Sequence, residues 1–497
     1  MNIQPFEPSH LLALAPEIVL VISAAVIMLA DVNRGRERKR ELGVVAALGF
    51  GAALVAALLF TLPGLTADGQ FGGMIRNDTA AFAFRILFLF AGMVTALIAT
   101  DSPVIGKEGE FFLVLTGSVI GMNFMALSTD LVMLYLSIEA SSIALYALAG
   151  SLRESDKSAE SGLKYFLFGA FTSTVLLYGF SLLYGFAGST NLYEIGARLG
   201  EAGVGGVPTL PVILTLLTVV VGLGFKISAV PFHFWAPDVY EGAPTPITAF
   251  LSVASKAAGF AVLLRLLLTV FPGYAGIWTG IIAALALLTM TIGNLLAMQQ
   301  RNIKRLLAYS SIAQAGYILL GLAAYYNLNT DGNVGGEHAI GAVVYYLGMY
   351  TLTNLVAFGV IILVSRITGS DEIADFSGLS RRSPGLALAM LVALLSLGGI
   401  PPLAGFFGKL YLFAAAAEAN LLWLVVAGAI NALLALYYYL IVIKVIYLGQ
   451  PKDEATVPVS RPYVFALWVC SIGVILVGVL AGPFVQIAQA AGTNFLR

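Results

Sequence analysis

Fourteen stretches of this chain are apolar over the roughly 20 residues that a helix needs to cross about 30 Å of hydrocarbon. They lie near residues 11–30, 42–62, 80–100, 111–129, 130–149, 163–187, 209–230, 244–270, 276–298, 305–326, 339–365, 385–414, 421–448 and 463–489. The pattern predicts an all-α polytopic membrane protein of about 14 transmembrane helices. Two places break it. From Gly224 to Pro246 the chain reads GFKISAVPFHFWAPDVYEGAPTP, with a lysine, a histidine, two acids and four prolines between apolar runs. From Gly398 it reads GGIPPLAGFFG, a double proline after two glycines inside another long run. Proline cannot continue a helix, and polar groups at membrane depth find no water. Both places therefore read as discontinuous helices lining an internal path.

Of the 497 residues 59% are hydrophobic and 11% charged, against about 25% charged in a soluble protein. Such a chain has too few charges to cover a water-facing surface. The first run holds Glu17, and its basic cluster, Arg34 to Arg40, follows rather than precedes it, so it reads as a retained helix and not a signal peptide. With fourteen spans laid over the sequence, Lys107, Arg153, Lys157, Arg301, Lys304, Arg305, Arg366, Arg381, Arg382, Lys444, Lys452 and Arg461 fall on the side of that cluster. Only Arg76, Arg198 and Arg497 fall on the other. By the positive-inside rule both termini face away from the cytoplasm.

Six basic residues remain inside the spans, Arg85, Lys164, Lys226, Lys256, Arg265 and Lys409, together with the acid Glu139. A charge at a helix centre costs about 2.5 to 3.5 kcal/mol on insertion scales, so depth decides which of them point to function. Glu139 is about ten residues from either end of its run, with Ser142 and Tyr146 on the same helical face. Lys256 is about as deep, with Ser252 one turn before it. Lys226 is near enough to the end of its run to snorkel to the interface, although the prolines that follow favour a helix broken at depth. Lys409 follows the second break. Lys164 opens its helix, where snorkelling suffices, and Arg85 and Arg265 sit where helix-end anchoring or lipid contact would account for them. His233, among aromatics, reads equally as a packing residue or as a proton relay.

The three histidines, His10, His233 and His338, lie too far apart in the topology to form a metal site, and the sequence has no phosphate loop, dinucleotide fingerprint or hydrolytic triad. One cysteine, Cys470, excludes a disulfide within the chain and an iron–sulfur cluster ligated by this chain's cysteines alone. What remains is proton or cation movement. Burial disfavours an ammonium and a nearby carboxylate favours it. At about 5 Å and an effective dielectric of about 20 their interaction is roughly 3 kcal/mol, or about two pKa units. Bringing Glu139 and Lys226 together or apart would thus switch proton binding.

Four motifs, GFKISAVPFHFWAPDVYEGAPTP, RNIKRLLAYSSIAQAGY (Arg301 to Tyr317), GLKYFLFGAF (Gly162 to Phe171) and GGIPPLAGFFGKLYLF (Gly398 to Phe413), resemble the antiporter-like subunits of respiratory complex I, above all the type called N. The resemblance spans essentially the whole chain and extends to subunits of multi-subunit sodium/proton antiporters and membrane-bound hydrogenases. It implies N-terminal helices over 1–110, two inverted five-helix repeats over 111–270 and 271–450 with helices 7 and 12 broken, and a last helix over 451–497. It further implies a proton path through Glu139, Lys164, Lys226, His233, Lys256 and Lys409. Lysine rather than an acid at position 409 matches type N over type M.

The implied function is proton translocation coupled to electron transfer from NADH to quinone, with the opening and closing of the Glu139 and Lys226 pair driving protons through Lys256 towards Lys409. No cofactor is expected in this chain; FMN, iron–sulfur clusters and quinone belong to partner subunits. The expected partners are membrane subunits of types A, H, J, K, L and M, the peripheral NADH-oxidising arm and the lipid bilayer, with no nucleic acid, in a bacterial plasma membrane. The rival readings are a cation/proton antiporter subunit and a scaffold that docks its neighbours without conducting.

Overall fold

The structure is a computed structural model that describes residues 9–33, 41–64, 69–102, 105, 108–202, 209–329, 335–451 and 456–495. Arg34 to Arg40, Lys107, Lys452 and Arg497 lie outside the described residues. Six uninterrupted helices come first: α1 (Ala15–Asn33), α2 (Glu41–Phe60), α3 (Thr79–Ala99), α4 (Gly109–Leu127), α5 (Leu131–Ala149) and α6 (Asp156–Ala187). The seventh crossing is split into α7a (Thr209–Ile227) and α7b (Trp235–Gly242). Then follow α8 (Thr245–Thr269), α9 (Ala275–Ala297), α10 (Ile303–Ala323) and α11 (Gly335–Thr368). The twelfth crossing is split into α12a (Pro384–Gly398) and α12b (Ala404–Glu418), and α13 (Leu422–Leu448) and α14 (Arg461–Val479) complete the set. Among the described residues thirteen helices are long and apolar enough to span a membrane, and α12a with α12b makes a fourteenth crossing. The protein is a multi-pass membrane protein.

Short polar connections start these helices. The carboxylates of Asp78 and Asp130, the hydroxyl of Ser155 and the amide oxygen of Asn302 accept backbone N–H groups at the first turns of α3, α5, α6 and α10. Each satisfies donors that no helical partner can reach. The fourteenth apolar run, 463–489, is not one helix: the backbone turns at Leu480, and α15 (Ala481–Phe495) folds against α11. Small residues permit that contact. A Cβ on Gly341 would meet Gln489, and one on Gly492 would meet the Glu337 carbonyl.

α8, α10 and α11 form the centre, nearly all of their residues being shielded by the rest of the chain, whereas α1, α6 and α13 keep most of theirs on the outside. Large apolar side chains such as Leu29, Leu48, Phe171 and Leu433 stand on that outer surface, as lipid contact requires. The two breaks open beside this centre. At the second, Gly399 takes φ +83°, a left-handed conformation that glycine adopts without steric cost, and ends α12a. Six residues on, Gly405 brings α12b against the Ser396 carbonyl, where a Cβ would overlap it. Gly405→Ala is expected to push the half-helices apart at a cost of about 1 to 3 kcal/mol or more, read as a lowered thermal-unfolding midpoint of the detergent-solubilised protein. An unchanged midpoint would mean that the break accommodates a methyl group.

Candidate functional site

The first break starts at the end of α7a. Ser228 takes φ +60°, Pro231 has no N–H to give, and the chain stays irregular until Trp235. The freed backbone groups find partners. The Val230 N–H donates to Thr289 Oγ1 (3.0 Å), and the Ser228 N–H and the Trp235 indole both donate to the Phe225 carbonyl (3.0 Å each). The segment is thus satisfied inside protein, the condition for irregular backbone at membrane depth.

Three of the sequence-predicted lysines are buried. Lys226, at the end of α7a, donates to Ser142 Oγ on α5 (2.6 Å). Lys256 follows a π-helical turn, Leu251–Ser255, inside α8. Such turns recur at functional positions because they displace one side chain from the helical register. Its amine donates to the Ser311 hydroxyl (2.6 Å) and carbonyl (2.8 Å) on α10, not to Ser252, whose hydroxyl is turned back to the Ala249 carbonyl. Lys409, on α12b, donates to the carbonyls of Leu397 (2.9 Å) and Gly398 (3.1 Å) and stands 5.0 Å from the centre of the Tyr317 ring. Those carbonyls end α12a, where the helix dipole is negative, so the break itself creates the lysine's seat.

None of the three lysines has a carboxylate within 4 Å among the described residues. Their amines are held by hydroxyl and carbonyl oxygens alone. An ammonium so held gives up and regains a proton without breaking an ion pair. Glu139 belongs to the same neighbourhood through Ser142, three residues along α5, but its carboxylate accepts a hydrogen bond from Ser173 of α6. Its side of α5 is only half-buried, flanked by the exposed Leu136 and Ile143.

The remaining predicted residues lie elsewhere. His233 is buried in the first break with its ring 4.5 Å from that of Phe234, and its Nδ1 makes no hydrogen bond among the described residues. Lys164 is not with the buried lysines. It lies at the basic end of the bundle, about one-third exposed, paired with Glu160 (2.6 Å) and Asp238 (2.6 Å). There Asp238 and Glu241 of α7b also bind Arg305 of α10 (2.7 and 3.0 Å), and Glu241 binds Lys157 (2.8 Å). The short half-helix is thereby clamped to both α6 and α10. Asp238 and Glu241 stand three residues apart in the motif at the first break, and that spacing was the signal for a shared helical face.

Arg85 and Arg265 overturn the expectation of helix-end anchoring or lipid contact. Arg85 is fully buried in a pair with Glu17 (2.6 and 3.2 Å) and also donates to Asn77 and the Ala13 carbonyl. Arg265 is buried against Asp78 (2.5 and 3.2 Å) and the Ala126 carbonyl. Anchoring at the helix end was the wrong account because each arginine has its acid on a different helix or its cap. A guanidinium that stays charged, forked onto a carboxylate, is a fixed crosslink.

Buried lysines beside two broken crossings define an ion-path protein of the antiporter-like class, and comparison with known proteins agrees. Residues 128–435 match the family described as NADH:quinone oxidoreductase/Mrp antiporter, TM, and the chain belongs to that family. Within it, a Dehalococcoides mccartyi protein named NADH-quinone oxidoreductase subunit N is 42% identical over 488 residues, 96% of this chain and 98% of its own. A chain of respiratory complex I from Thermus thermophilus, solved with bound aureothin, superposes with TM-score 0.78 at 32% identity over 95% of this chain and 99% of its own. A chain of the Mrp complex from Dietzia shares the fold, with TM-score 0.85 at 20% identity over 99% of this chain and 98% of its own.

Proposed function

We infer that this chain is the proton-translocating membrane subunit, of the type called N, of an NADH:quinone oxidoreductase, and that Lys226, Lys256 and Lys409 carry its protons. The observation that carries the reading is the set of three lysine amines buried at or beside the two breaks, each held by neutral oxygens alone. Electron transfer, with FMN, iron–sulfur clusters and quinone, belongs to partner subunits. Glu139 sets the protonation of Lys226. In the conformation seen here the two are not ion-paired, Lys226 donating to Ser142 and Glu139 accepting from Ser173. Motion of α5 relative to α7a would bring them together, favour the ammonium at Lys226, and in the reverse direction send a proton towards Lys256. His233 lies on the broken segment after Lys226 and serves as a relay there. Lys164, in its ion pairs with Asp238 and Glu160, belongs to the entrance.

The half-buried Glu139 also marks a partner face. A carboxylate at mid-helix beside exposed Leu136 and Ile143 needs polar company that hydrocarbon does not give, so a neighbouring membrane subunit packs against this side of α5. The proposed partners are subunits of types A, H, J, K, L and M and, through them, the NADH-oxidising arm. The basic end faces the cytoplasm of a bacterial plasma membrane, with both termini opposite, and residues 111–270 and 271–450 act as inverted halves of one path.

The test is purification of the tagged chain from its native membrane in mild detergent. Flavin, iron–sulfur absorbance and inhibitor-sensitive NADH:quinone activity are expected to travel with it. If only membrane subunits arrive, without redox centres, the chain is part of a cation/proton antiporter instead.

A further inference from the structure

Between Lys256 and Lys409 stands a buried, hydrogen-bonded side chain that the reading above leaves without a role, Gln314. Lys256 is held by Ser311. The adjacent residue, Ser310, is joined to Ser311 by no hydrogen bond among the described residues and begins a second polar cluster, its hydroxyl 2.5 Å from that of Tyr439 on α13. Beyond Tyr439 stands Gln314, one turn along α10. Its Nε2 donates to the Tyr439 hydroxyl and to the Leu397 carbonyl (3.3 Å each), and its Oε1 accepts from Tyr346 of α11. The same Leu397 carbonyl accepts from Lys409. Ser310, Gln314, Tyr346 and Tyr439 are all essentially fully buried.

Chemistry separates Gln314 from the rest of this line. A hydroxyl passes a proton by accepting one at its oxygen while releasing its own, and is left turned round but otherwise unchanged. An amide has its donors on nitrogen and its acceptor on oxygen and cannot exchange them by rotating a proton. To relay, it would gain a proton at Oε1 and lose one from Nε2, leaving an imidic acid that must revert before the next proton. Gln314 also fixes its neighbours. Tyr439 accepts from Nε2 and shares a hydrogen bond with Ser310, and Tyr346 donates to Oε1.

We propose that Gln314 is the positioning residue that interrupts the buried line between Lys256 and Lys409, blocking undriven proton flow because its amide does not relay a proton while it keeps Tyr439 and the Leu397 carbonyl apart. The proposal rests on the reading of Lys256 and Lys409 as members of one proton path. Gln314 shares the Leu397 carbonyl with Lys409 at the mouth of the second break, so a shift of α12a would move the interruption and the lysine's seat together. A crosslink between helices with no part in conduction is the competing account of the same bonds.

The complex containing the variant chain, reconstituted in liposomes with an internal pH dye, is given a potassium diffusion potential with valinomycin and neither NADH nor quinone. Gln314→Glu puts a relaying carboxyl at the interruption and is expected to raise passive proton influx by at least about tenfold, below the roughly 100-fold that a well-positioned proton-transfer group supplies. Lys256→Met in the same chain is expected to remove the increase. Gln314→Met, which relays nothing, is expected to leave influx at the wild-type level. If Gln314→Glu fails to assemble, Gln314→His supplies a second relaying group. The proposal is overturned if neither relaying variant raises influx, or if the rise survives Lys256→Met, because a structural crosslink would yield instability and not a Lys256-dependent leak. If Lys256→Met alone leaves NADH-driven proton yield intact, it is the path reading that falls.

Discussion

Lys256→Met in the assembled complex is expected to abolish proton transfer through this chain and to lower the number of protons moved per NADH oxidised. The amine has no substitute within reach. Its contacts are the hydroxyl and carbonyl of Ser311, in a part of the protein shielded from water on every side. Removing a positioned proton-transfer group costs on the order of 100-fold or more in the step it serves. In a coupled enzyme, quinone reduction is expected to slow as well. Lys256→Arg is the sharper variant. Arginine keeps the charge but does not release its proton in a protein, so it should fail like methionine if Lys256 carries a proton, and succeed if only a positive charge is needed. The measurement is proton uptake by energised vesicles alongside NADH:quinone turnover. Undiminished values of both in the methionine variant would remove Lys256 from the path.

Most of the fold was legible because hydrocarbon is a strict solvent. A backbone group without a partner costs several kcal/mol there, so helices must be long and continuous, and the two prolines-with-polar-residues segments stood out as the places where they are not. The breaks at 228–234 and 399–403 fall where the motifs put them. The bend at Leu480 had a fainter mark, Gly482 and Pro483 just after it, without the polar residues that set the two breaks apart. Depth in a span pointed to Glu139 and Lys256, and the breaks drew attention to Lys226 and Lys409, but neither showed what each would touch. Ser142 was visible as a neighbour of Glu139, whereas Ser311 and Gln314 were ordinary polar residues in an apolar helix, given meaning only when α8, α11, α12a and α13 were packed around it. Arg85 and Arg265 were misread for a related reason. Position along one helix suggests anchoring at its end or lipid contact; an acid brought up by another helix overrides it.

The buried arginines also separate stability from conduction, and the Glu17 and Arg85 pair makes the distinction measurable. Glu17→Leu leaves the guanidinium of Arg85 buried with only Asn77 and the Ala13 carbonyl for company. It also leaves Asn123 without the acceptor that it now meets at 2.8 Å. Removing one partner of a buried pair costs about 3 to 5 kcal/mol, whereas replacing both by apolar groups of similar volume is often neutral. Glu17→Leu is therefore expected to lower the thermal midpoint and the yield of assembled complex sharply, and Glu17→Leu with Arg85→Met to recover most of the loss, both read by native electrophoresis and thermal scanning of the solubilised complex. Neither residue touches the lysine line, so complexes that do assemble should move as many protons per NADH as the wild type, the opposite of Lys256→Met. A single variant as stable as the wild type would show that α1 is held to α3 by packing and not by this pair. A double variant as unstable as the single one would show that the asparagine network needs the charges. Neither outcome bears on the role proposed for the lysines, because a proton path needs groups that let a proton go, and Arg85, forked onto Glu17, does not.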